Sequence, residues 1–111
     1  MRRRRRPPKI SEAEASRLAA IADAHAASET ASRLARECAN WALQSHAGED
    51  DAVEVVRAAF RARQAAAEAE RATTPDAAWE AARLAWAAVS SAQESDTRLN
   101  AEIVKNLLDA A

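Results

Sequence analysis

The stretch TTPDAAWEAARLAWAAV, residues 73–89, decides the fold class. Thr74 can cap a helix, Pro75 suits its first position, and Asp76 complements the positive end of the dipole, so a helix starts here. Trp79, Ala82, Trp86 and Val89 then recur at alternating spacings of three and four, which predicts a coiled-coil-like seam. Most of what lies between them is Ala, the best intrinsic helix former because it gives up no side-chain freedom.

The rest of the chain has the same character. Ala makes up about 30 % of the 111 residues, Gly48 is the single Gly, and Pro75 is the only Pro after the first ten residues. Ser11 and Glu14 form a capping box behind the staple position of Ile10, and no Gly or Pro intervenes from Ser11 to His46. Along that run Leu18, Ile21 and His25 share one face while Leu34, Cys38 and Trp41 share nearly the opposite one. This predicts a break at Ser28-Glu29-Thr30 between helices 11–27 and 30–46.

A turn at His46-Ala47-Gly48-Glu49-Asp50 and a cap at Asp51 with Glu54 then open a helix over 52–72, with an apolar stripe of Val53, Val56, Phe60 and Ala67. Beyond Val89, Ser95-Asp96-Thr97 favour an interruption and the Glu94/Arg98 pair favours continuity, leaving that point balanced. The fold expected is all-α: a small antiparallel bundle of three long helices, one or two of them broken, in one domain over 10–111. Trp79, Trp86, Val89, Phe60, Val56, Leu34 and Trp41 are expected at its core, where Phe60→Ala would cost about 3–5 kcal/mol.

Residues 1–9 carry Arg2, Arg3, Arg4, Arg5, Arg6 and Lys9. Removing their six positive charges from a net charge of −1 leaves −7 for residues 10–111. They are expected to form a disordered basic arm on an acidic body. Each Arg of the arm can neutralise a phosphate, which makes Arg2 to Arg6 the candidate for nucleic-acid contact, weak because the body repels the same phosphates. No stretch reaches the roughly 18 apolar residues of a membrane span, and the Arg run leads into Pro7-Pro8 with no apolar segment of a secretory signal. A cytoplasmic location, with no membrane partner, is the expectation.

Residues able to carry chemistry are sparse. His25 and Glu29 stand at i,i+4 with Asp23 nearby, but no H-E-x-x-H or di-iron E-x-x-H pattern occurs, so no metal site is assigned. Cys38 has no His within a turn to lower its pKa and reads as a packed thiol; its solitude excludes an intrachain disulfide. Tyr is absent and Gly nearly so, which removes phosphate-cradling loops and common acid-base arrangements. No catalytic residue and no cofactor are assigned.

The remaining candidates are the indoles of Trp79, Trp86 and Trp41. They are read as core, with a partner interface as the alternative because large aromatics concentrate interface energy. The large apolar residues are too few to cover both sides of long helices, so self-association, as a symmetric dimer, is also expected.

The motif A-x-R-L-A recurs at 15–19, 31–35 and 81–85, as Ala-rich composition alone would produce. Between Ala31 and Gln93 the segments Ala39-Asn40-Trp41-Ala42, Val56-Arg57-Ala58-Ala59, Arg63-Gln64-Ala65-Ala66-Ala67 and Ala81-Ala82-Arg83-Leu84-Ala85-Trp86-Ala87-Ala88 resemble bacterial Ala-rich helical proteins of the Imm-5-like immunity group. The chain departs from that group in lacking a His-rich later helix. The resemblance implies a toxin-neutralising binding protein and carries over no site residues. The sequence thus points to a non-catalytic protein that binds another macromolecule. The alternative is a basic-armed nucleic-acid-associated or homo-oligomeric assembly protein.

Overall fold

Ala at alternating spacings of three and four builds the interior of this protein. The computed structural model describes residues 10–45 and 49–110 as three helices: α1 (Glu12–Ser45), α2 (Glu49–Arg71) and α3 (Pro75–Ala110). Among the described residues there is no strand. The expected basic arm and, of the expected turn, His46, Ala47 and Gly48 lie outside the described residues, while Glu49 and Asp50 belong to α2.

In α1 the seam is Ala20, Ala24, Ala27, Ala31, Leu34 and Cys38, all buried but the half-buried Leu34. In α2 it is Ala52, Val55, Ala59, Ala62, Ala66 and Ala69, and in α3 it runs from Ala78 through Ala81, Ala85, Ala88 and Ala92 to Ser95 and Leu99. Each repeats as an a/d heptad, so each helix presents one continuous stripe to the other two.

The packing has two connected parts. Ala24 to Ala31 of α1 meet Ala59 to Ala69 of α2 and Ala81 to Val89 of α3. Cys38 meets Ala52, Val55 and Ala58 with Ala92, Leu99 and Ile103. α2 is therefore antiparallel to both neighbours, and α1 and α3 run parallel. Two in-register bonds mark that parallel pair: the Trp79 indole N–H donates to Ser16 Oγ at 2.9 Å, and the Trp86 indole N–H to Asp23 Oδ2 at 2.9 Å.

The start signals at Ser11 and Thr74 act as read, whereas α2 begins at Glu49, inside the expected turn, so Asp51 lies within the helix and its carboxylate accepts from Arg98 at 3.1 Å instead of capping. The Ser11 hydroxyl accepts the Glu14 backbone N–H at 3.1 Å, and Thr74 Oγ1 accepts that of Ala77 at 3.2 Å. The Glu14 carboxylate does not close the capping box. It grips the Arg17 guanidinium at 2.6 and 2.9 Å, and those hydrogen bonds hold Glu14 below the usual carboxylate range. Arg17 also reaches the Ala72 carbonyl at 3.3 Å, tying α1 to the α2–α3 connection.

Two further expectations are corrected, and the balanced point at 95–97 is decided. α1 has no break at 28–30: Leu34 and Cys38 of the second face lie in the seam itself, Ile21 is half-buried beside it, and Leu18 stays 42 % exposed, so one unbroken helix has a single side to bury. α3 is continuous through 95–97, where Ser95 is buried in the seam and accepts from Arg98 at 2.9 Å.

The second of these corrections concerns the core. Of the seven residues expected there, Val89 is buried and Leu34 half-buried, whereas Val56, Phe60, Trp41, Trp79 and Trp86 are exposed. In α2 and α3 the seam lies one residue before the bulky stripe, at Ala52/Val55/Ala59 rather than Val53/Val56/Phe60, and at Ala78/Ala81/Ala85 rather than Trp79/Ala82/Trp86. The cause is steric. Ala side chains allow helix axes to approach toward the short end of the usual 8–10 Å, and a gap that narrow has no room for an indole or a phenyl ring.

Candidate protein-binding faces

The side chains excluded from the seam collect on its edges. On the α1/α3 edge lie all three indoles. Trp79 and Trp86 stay 42 % and 37 % exposed after their N–H groups are bonded to α1, and Trp41 is 53 % exposed. On helical geometry Trp41 shares the α3-facing side of α1 with Ser16 and Asp23, so the three expected site residues lie along one side of the bundle. The two bonded indoles hold the helices in register and offer their rings to solvent at the same time.

A second apolar region, missed in the sequence, lies between α1 and α2. An open groove of about 560 Å³ is lined by Leu43, Val53, Val56 and Phe60 over a floor of Ala39, Ala42 and Ala52. Phe60 is 58 % exposed and Leu43 75 %. A smaller depression of about 280 Å³ continues it along the same helices, sharing Val56 and Phe60 and adding Ser32, Arg36 and Arg63. The signal that could have found this region was the alternation Ala52, Val55, Ala59, Ala62, Ala66, Ala69, which places Val56 and Phe60 just outside the seam. A third patch, Val104, Leu107 and Leu108, lies beyond Ile103, the last buried residue of α3.

Charges around these faces are unevenly paired. Arg57 is held by Glu54 at 2.7 Å and Arg98 by Asp51 at 3.1 Å, while no carboxylate among the described residues pairs with Arg36 or Arg63. His25 Nε2 lies 2.5 Å from Glu70 Oε1 across α1 and α2, not with Glu29 as a shared-metal arrangement would need. Among the described residues no group of three or more His, Cys, Asp or Glu is placed to hold a metal.

The Cys38 thiol is fully buried and donates to Asp96 Oδ1 at 2.9 Å. Burial, and then the Asp96 carboxylate, push its pKa up to about 12, which leaves the sulfur protonated and a poor nucleophile near neutral pH. Arg2 to Arg6 lie outside the described residues. Among the described residues, no helix is long and apolar enough to cross a membrane. No family model, curated protein or solved structure matches the chain. The likeness to the Imm-5-like group therefore rests on the Ala-rich motifs alone.

Proposed function

We propose that this chain is a non-catalytic protein-binding bundle whose bulky apolar side chains meet a macromolecular partner. One observation carries the reading: an interior built of Ala leaves Phe60, Leu43, Trp41, Trp79 and Trp86 on the outside, grouped on two edges. Scattered apolar residues on a surface need no explanation, whereas contiguous apolar regions rimmed by charge are typical of interaction sites. Neutralising a toxin, as the sequence resemblance implies, is one role for such a protein, and the reading needs only that the partner be a protein.

The test is capture of a partner from the native host, with native mass spectrometry of the complex, for the wild type and for Phe60→Ser, Leu43→Ser and Trp41→Ser. The expected result is loss of the complex in at least one variant whose helical circular dichroism and melting temperature are retained. A complex indifferent to all three substitutions overturns the reading.

A further inference from the structure

Beside the apolar floor of the groove between α1 and α2 lie guanidinium groups that no carboxylate among the described residues pairs with. Val56 and Phe60 occupy its centre, Arg36 stands on the α1 wall, and Arg63 on the α2 wall one turn from Phe60. Arg57 is also on the rim but is neutralised by Glu54. The α1 wall from Ser32 to Leu43 is about 16 Å long, which matches roughly three turns of a docked helix.

Resting on the protein-binding reading above, we infer that this groove takes one amphipathic helix of a partner protein, with an apolar stripe against Val56 and Phe60 and carboxylates beside it for Arg36 and Arg63. An apolar stripe laid into a groove is a general mode of helix recognition, and acidic flanks supply the charges the rim lacks. Glu49 at the hairpin end of the groove is the single acid of its lining and assigns the partner's carboxylates to the other end.

A second copy of the chain is a poorer occupant. Arg57 and Arg63 each lie three residues from Phe60, so antiparallel α2 helices meeting on a twofold axis at Phe60 would set Arg57 of each copy against Arg63 of the other. Nucleic acid is also a poorer fit, because phosphates would engage the arginines and leave Leu43, Val53 and Val56 against water or a polar backbone.

The experiment uses the full chain and two fluorescein-labelled synthetic peptides of about 18 residues, long enough for helix formation on docking. Both carry Leu at i, i+3, i+7 and i+10; one has Glu at the flanking positions and the other Lys. By fluorescence anisotropy the Glu peptide is expected to bind at least about tenfold more tightly than the Lys peptide. The double variant Arg36→Glu/Arg63→Glu should reverse that order. Phe60→Ser should weaken the Glu peptide by about tenfold or more, and Leu84→Ser, on the α2/α3 side, should leave it unchanged.

Equal binding of the two peptides, no binding of either, or a preference that survives the charge reversal overturns the inference. So does a single-stranded oligonucleotide that displaces the Glu peptide, or a dimer in sedimentation that Phe60→Ser dissociates. Should neither peptide bind while partner capture still depends on Phe60, the protein-binding reading stands and the helix inference alone falls. Capture indifferent to every apolar surface substitution removes both.

Discussion

Phe60 and Ala62 exchange the roles their sizes suggest. Ala62 is fully buried between three helices, while Phe60, the only Phe in the chain, is more than half exposed. Ala62→Leu should therefore destabilise by about 1–3 kcal/mol, because extra carbons force the helices apart. Phe60→Ala should cost no more than about 0.5–1 kcal/mol, well below the value expected from a core position. Urea denaturation of the two variants checks the order, and a larger loss for Phe60→Ala would contradict the Ala-lined interior. Cys38 gives a second residue-scale prediction. The fold favours the neutral thiol, so its stabilising contribution is complete below the ordinary thiol range near 8.5 and is lost as pH rises toward about 12. Iodoacetamide at pH 8 should label Cys38 only as fast as the protein opens, and rapid labelling of the native protein would refute its burial.

At the scale of the helix, two of the three beginnings were legible, α2 starting at Glu49 ahead of the cap expected at Asp51, and register was not. Ser11 and Thr74-Pro75 announce helix starts through chemistry that few other residues share, and both act as caps. The seams are hidden in the sequence because Ala fills both core and surface positions, leaving the bulky residues as the visible periodicity, and here those mark the edges. The same misdirection split α1 at Ser28-Glu29-Thr30. Thr30 stays in the helix with its hydroxyl bonded to the Ala26 carbonyl at 2.9 Å. The three indoles were legible as candidates by type, whereas the α1/α2 groove was not, since Val56 and Phe60 had been assigned to the interior. Continuity of α1 makes Glu29→Gly a mid-helix substitution. It should cost about 1 kcal/mol, measured by chemical denaturation, and a neutral result would indicate a natural break at that point.

For the whole molecule, three helices of roughly 51, 35 and 54 Å are held by a narrow strip of methyl groups. Seam alanines have no rotamers to lose on folding, so ordering them costs backbone freedom alone. They also bury little apolar area each. Calorimetry should accordingly give a heat-capacity increment of unfolding below the usual 12–15 cal/mol/K per residue, and a value at or above that range would mean a larger buried apolar surface than three Ala seams provide. A small increment flattens the dependence of stability on temperature. A protein clasped by its smallest side chains would lose little of its margin on chilling.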